Sequence, residues 1–236
     1  METFSDFILS GGDLTAARAD TPRQRLLDAG LVIFSRDGYE AATTRDIARQ
    51  AEVNLAAIPY YYGGKEGLYH VVVQSIADLI GLRFAESSCD IAALLDARPP
   101  ASRKALFSAF KRILSTFGRF IIGSQAAALF APIILREQMH PTAAFDILYA
   151  GGLGQGHRTA CRLVARLMGR SEDDAEAVIC THAMLGQILA FRAAREVAMR
   201  RIGWTHYSDE HLAVIERVVL ENCRRILNLR AKEIES

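Results

Sequence analysis

The 236-residue chain is 50% apolar and carries 28 Lys/Arg against 27 Asp/Glu, a formal net charge of +1. That length holds one large domain or two modest ones and can bury a real core. The near-neutral balance excludes bulk basicity as a way of holding nucleic acid, so any such role rests on where individual charges sit. The four cysteines, Cys89, Cys161, Cys180 and Cys223, are far apart and form no CxxC. Each lies in an apolar helical context, which reads as buried free thiols in a reducing cytoplasm.

Residues 1–20 lack a basic start followed by an apolar run and cleavage site, and read as a loose arm rather than a signal peptide. The first helix starts at Thr21, a capping residue followed by Pro22 at the first helical position, and carries Leu26, Leu27, Leu31 and Phe34. Gly38 suits the left-handed position that ends it. Thr43 caps a second helix, with Asp46 three residues on completing a weak capping box and Ile47, Ala48 and Ala51 forming its buried stripe. Val53 closes a tight turn, Asn54 caps a third helix from Leu55 to about Tyr62, and Gly63-Gly64 stops it. A fourth helix opens at Lys65 and runs to about Glu86 with Leu68, Val71, Val72, Ile76, Leu79 and Ile80 inward. Pro99-Pro100 marks a boundary. Beyond it, helical patterns cover 102–122, 125–139, 142–168, 171–201 and 208–232, the third interrupted by the glycine-rich run 151–156. The fold class is therefore all-α. A loose arm (1–20) precedes a three-helix helix-turn-helix head (21–65), joined by a continuous helix to a larger helical domain (66–236).

Residues 43–65, TTRDIARQAEVNLAAIPYYYGGK, have the layout of a helix-turn-helix, whose second helix enters the DNA major groove. Leu55, Ala56 and Ala57 keep the leading turn narrow and can touch thymine methyls. Tyr60 and Tyr61 can offer hydroxyls to phosphates and ring faces to sugars, while Tyr62 wedges against the first helix. Lys65, at a helix start, can hold a phosphate, and Thr43, Thr44 and Arg45 can clamp its neighbour. The segment 21–70 has six Lys/Arg and six Asp/Glu, so these positions, not net charge, carry the DNA reading. Pro59 interrupts the third helix, at an interior cost of about 3 kcal/mol that shrinks near a first turn, and predicts a kinked or partly 3₁₀ recognition helix.

The segment TTRDIARQAEVNLAAIPYYYGGKEGLY resembles the DNA-binding head of the TetR family of bacterial repressors, over about fifty residues. LREQMHPTAAFDILY (135–149) and MLGQILAFRAAREVAMRRIGW (184–204) resemble the C-terminal domain of CecR/CerR-type regulators. The resemblance implies a homodimer that binds a palindromic double-stranded operator and releases it when a small effector enters the body. It carries DNA contacts onto Thr44, Arg45, Leu55, Ala56, Ala57, Tyr60, Tyr61 and Lys65.

In the body, the stretch 175–198 is apolar on nearly every side and needs cover all round. With Gly186 permitting close approach, and the wide stripe Leu212, Ile215, Val218, Val219, Ile226 and Leu229 on the last helix, it predicts a four-helix dimer interface. Polar groups among apolar ones, Arg136, His182 and Gln187, together with Phe191, suggest an effector pocket. The glycine run 151–156 then reads as a flap over it, and not as a phosphate loop, since no strand precedes it. His206 and His211 lack a third ligand, so neither a metal nor a cofactor is expected. No nucleophile–base pair appears, so no enzyme is expected. His182, Gln187, Arg192, Arg195 and Glu196 argue against a membrane span at 175–198, and a cytoplasmic location follows. The alternative reading is a helical small-molecule-binding protein whose DNA function is weakened or lost.

Overall fold

A computed structural model describes residues 21–123 and 126–229, with only the backbone given at 86–89. The expected arm at 1–20, the Cys89 side chain and the end of the last predicted helix lie outside the described residues. Every regular element among the described residues is helical. The helices are α1 (Pro22–Ala41), α2 (Thr44–Gln50), α3 (Ala57–Tyr62), α4 (Lys65–Leu95), α5 (Arg103–Gly118), α6 (Ala127–Met139), α7 (Ala143–Leu148), α8 (Gly154–Met168), α9 (Ala175–Ala193), α10 (Arg195–Ile202) and α11 (Asp209–Ile226). Wider π-turns at Arg119–Gly123 and Tyr149–Leu153 follow α5 and α7.

The chain divides into two compact units. Among the described residues, the first unit comprises 21–82 and 128–154, and the second 83–123, 126–127 and 155–229. The first unit thus takes in the helix-turn-helix, the first half of α4 and, from Ala128 on, the α6–α7 segment. Continuous as it is, α4 runs nine residues past the expected end at Glu86.

In the first unit α1 begins as expected. Thr21 Oγ1 accepts from the Gln24 N–H and Pro22 fills the first turn. Leu26, Leu31, Ile33 and Phe34 of α1, Ile47, Ala48 and Ile58 of α2 and α3, and Leu68, Val72, Ile76 and Leu79 of α4 are all buried, with α1 packed on α2 and α3 and Leu68 and Val72 beside Gly30. Each such side chain removed from water contributes about 1.5–3 kcal/mol, enough to hold three short helices that would not form alone. The apolar stretch Lys65–Ala85 is long and apolar enough to cross a membrane on length and composition. Its inward residues are instead the floor of this core.

Segment α6–α7 locks onto the same unit by polar contacts. Arg136 Nη1 donates to the Phe34 and Ser35 carbonyls at 2.8 and 2.7 Å, and Nη2 to the Arg36 carbonyl at 3.2 Å. These carbonyls end the helical part of α1, before Gly38 turns left-handed (φ 80°), and helix-terminal carbonyls lack intrahelical partners. Glu137 is 3% exposed. Its carboxylate accepts from Tyr69 Oη at 2.7 Å and from Thr142 N and Oγ1.

The glycine run is not a flap. A Cβ on Gly151 would lie 2.6 Å from Ala77 Cβ, and one on Gly81 would lie 2.7 Å from the Gly151 carbonyl oxygen. Gly151 and Gly152 are bare because their backbone is pressed onto α4.

The second unit is built from α5, α8, α9 and α11 around Phe107, Phe110, Phe120, Leu163, Met184, Ile188, Ile215 and Val219. The predicted helix 171–201 breaks at Ala194 (φ −121°, ψ 34°), giving α9 and α10. Cys161 and Cys223 are buried free thiols and Cys180 is half-buried. Burial pushes the Cys223 thiol up to about 12.

Candidate nucleic-acid interface

The second helix of the head forms as expected: Thr43 Oγ1 accepts from the Asp46 N–H, and the same hydroxyl donates to Asp46 Oδ2 at 2.6 Å. The turn then tightens through Glu52, a non-glycine residue at φ 54°, and the Val53 N–H returns to the Ala48 carbonyl. A left-handed L-residue costs roughly 1–2 kcal/mol, which marks this turn as geometrically demanding.

The third helix starts two residues later than expected. Asn54 Oδ1 accepts from the Ala56 N–H, the Ala57 N–H reaches the Asn54 carbonyl and the Ile58 N–H the Leu55 carbonyl. These last are three-residue bonds, so the entry is a 3₁₀ turn that holds Leu55 and Ala56 before the regular helix. Pro59 consequently lies in the first turn, where its missing N–H has no intrahelical acceptor to lose. Of the two expected forms, kinked or partly 3₁₀, the helix takes the second, and beyond the 3₁₀ entry the Tyr60 N–H reaches the Ala56 carbonyl and the Gly63 N–H the Pro59 carbonyl. Gly63, at φ 74°, then ends the helix.

The three tyrosines divide their duties. Tyr62 Oη donates to the Arg23 carbonyl at 2.6 Å, pinning α3 to the start of α1. Burial raises its phenol above the usual range. Tyr60 is 81% exposed and Tyr61 38%, their rings edge-to-face at 4.8 Å. Leu55 and Ala56 are exposed and Ala57 half-buried. Tyr60, Tyr61, Ala56 and Ala57 line a groove of about 540 Å³ with Pro22 and Asn54.

The charges resolve what net charge could not. Arg36 is paired with Asp37, and Arg49 with Asp46. Arg45 is exposed at the start of α2, beside half-buried Thr44, and has no carboxylate partner among the described residues. Lys65 Nζ donates to the Glu40 carbonyl at 3.2 Å and lies 4.5 Å from the centre of the Tyr39 ring. An ammonium has three donors, so Lys65 retains capacity for a phosphate at the N-terminus of α4.

Sequence reading missed Gly67, whose Cβ would fall 1.8 Å from the Tyr62 carbonyl oxygen. The α3–α4 junction closes only over a bare backbone. An isolated glycine inside a helical pattern was the available signal. Tyr69 and Glu137, sixty-eight residues apart, left no local trace.

The residues expected to form an effector pocket divide between the two units. Arg136 is in the first unit and committed to the α1 carbonyls. His182 is exposed on α9, Gln187 Oε1 accepts from Asn222 Nδ2, and half-buried Phe191 gives its carbonyl to Tyr207 Oη. Among the described residues no group of three or more His, Cys, Asp or Glu is placed to hold a metal; His211 stacks on Trp204 at 3.9 Å instead.

A helix-turn-helix with a bare reading edge, set in an all-helical chain, defines a DNA-binding transcriptional regulator. Two family models match it: "Bacterial regulatory proteins, tetR family" over residues 26–72, and "HTH-type transcriptional dual regulator CecR, C-terminal domain" over residues 107–228. The dual regulator CecR of Shigella flexneri is 35% identical over 86% of this chain and 89% of its own. The chain belongs to the TetR family of bacterial transcriptional regulators, in its CecR-like branch. The repressor KstR of Mycobacterium tuberculosis is 25% identical over 81% of this chain and 80% of its own. In fold, the chain is similar to a TetR-like regulator from a Rhodococcus species, with TM-score 0.56, 20% identity, and coverage of 91% of this chain and all of the other. It is also similar to FadR of Bacillus subtilis in complex with stearoyl-CoA, with TM-score 0.54, 14% identity, and coverage of 85% and 96%. These relatives are transcriptional regulators rather than enzymes.

Proposed function

We propose that the chain is a cytoplasmic homodimeric repressor that binds a palindromic DNA operator and is released by a small-molecule effector. The observation that carries this reading is the head's exposed Leu55, Ala56, Tyr60 and Tyr61, with Thr44 and two cations, Arg45 and Lys65, that have no carboxylate partner among the described residues. Small apolar groups and tyrosines read base edges and sugars while the cations hold flanking phosphates. The relatives support regulation of transcription, and the name of KstR supports repression.

Dimerisation is supported by apolar side chains left exposed in the second unit. Ile179 of α9 is 67% exposed and Val197 of α10 is 80% exposed, and Val214 and Val218 of α11 are also bare. Nothing lies within 4 Å of a Cβ built on Gly186, so that helix face is free for close approach. Asn222 on Gln187 knits α9 to α11. Two such helix pairs, one per copy, form a four-helix interface with two-fold symmetry. Two heads about 34–36 Å apart would then meet successive major grooves. An effector acts by preferring one head spacing over the other.

Selection of bound sequences from random DNA tests the reading. A two-fold symmetric consensus, bound with a steep salt dependence, is expected from the wild type. A monomeric Gly186→Arg variant should lose the full site. Absence of any consensus would favour a ligand-binding protein without DNA function.

A further inference from the structure

In the second unit, α5 and α11 pack together and leave an open groove of about 840 Å³ between them. Its floor is apolar, from Phe107 of α5 and Leu220 and Ala213 of α11. Its walls carry five cationic side chains, Lys104, Lys111, Arg217, Arg224 and Arg225, against two carboxylates. The whole chain has a net charge of only +1, so this excess is local. Both carboxylates are already engaged. Glu221 bridges Arg224 and Arg225, which holds its carboxyl down at about 2, and Glu216 accepts from Ser115 Oγ. Lys111 and Arg217, one from each wall, are exposed and have no carboxylate partner among the described residues. Both line the groove, where their like charges add.

We propose that this groove binds an amphipathic anion, a long alkyl or acyl chain ending in a phosphate or carboxylate. Lys111 and Arg217 would hold the head group, and the Phe107–Leu220 floor the chain. Charge complementarity calls for the anion, and the volume falls in the range of small-molecule sites, about 300–1,000 Å³. The apolar floor calls for a hydrocarbon, since a bare anion would leave it wet. None of the residues first expected to contact an effector lines this groove, and the inference stands whether or not the chain binds DNA.

Isothermal titration of the full chain with dodecyl phosphate, below its micelle concentration, tests this. One dodecyl phosphate per chain is expected, with inorganic phosphate and dodecanol each binding at least about tenfold more weakly, as when one of two recognition elements is lost. Lys111→Gln and Arg217→Gln should each weaken binding about tenfold or more, the loss of one charge-assisted contact. Both side chains are exposed, so folding should persist, checked by unchanged helicity and operator binding. No saturable binding, equal affinity for inorganic phosphate, or unchanged affinity in both variants would each overturn the proposal. Retained operator binding in that case would leave the regulator reading intact.

Discussion

Replacing Arg136 by alanine removes the donor that closes α1. In the folded head its guanidinium supplies two short bonds to the part-buried Phe34 and Ser35 carbonyls and a longer, exposed one to Arg36. A hydrogen bond from a charged donor contributes about 1.5–3 kcal/mol, and a positive charge at a helix C-terminus adds about 0.3–1 kcal/mol. Water can reach the vacated carbonyls in part, so the expected loss is about 2–4 kcal/mol. For a unit of this size each kcal/mol moves the midpoint by about 4–8 °C. Arg136→Ala should therefore lower the thermal midpoint followed by circular dichroism by about 10 °C or more. Arg136→Lys keeps the charge but not the fork, and should recover about half. Operator affinity at 25 °C should change little, because apparent affinity falls only as the folded fraction falls, but should collapse at a lower temperature than in the wild type. A midpoint within about 2 °C of wild type for Arg136→Ala would refute the reasoning, since a side chain serving only an effector would give that result.

Gly67→Ala places a methyl carbon 1.8 Å from the Tyr62 carbonyl oxygen, and should cost more than the usual 1–3 kcal/mol of overpacking and abolish operator binding in gel shifts. Tyr60→Ala should leave the melting curve within about 0.5 kcal/mol of wild type yet weaken operator binding about tenfold or more, whereas Tyr62→Phe should cost about 1 kcal/mol of stability through the lost Arg23 bond. Burial, and then neighbouring His182, lowers the His157 pKa. The unfolded chain therefore takes up that proton first, and the stabilisation is complete above pH of about 6.5 and lost as pH falls through the lower folded value. Urea melts should show His157→Gln flattening the decline from neutral to acid pH. Cys223, its thiol raised to about 12, should resist iodoacetamide at mildly alkaline pH in the native state and react once the chain is unfolded, as read by peptide mass mapping.

The local grammar of the head was legible because short-range chemistry writes it. Thr21, Thr43 and Asn54 are side-chain acceptors placed where N–H groups need them, and Gly38 and Gly63 stand where the backbone turns left-handed. Those residues determine helix order, the turn, and the wedge of Tyr62. They also make the chain's class and family readable from about fifty residues. The start of α3 was misplaced because a 3₁₀ entry and a helix share the same apolar pattern, and only the bond partners of Ala57 and Ile58 tell them apart. Tertiary structure alone decided that residues 128–154 share a compact unit with the helix-turn-helix, that Arg136 and Glu137 bond to α1 and Tyr69, and that Gly151 packs on α4. Each depends on groups roughly seventy to a hundred residues apart, and a buried charge reveals its partner only when the chain has closed around it.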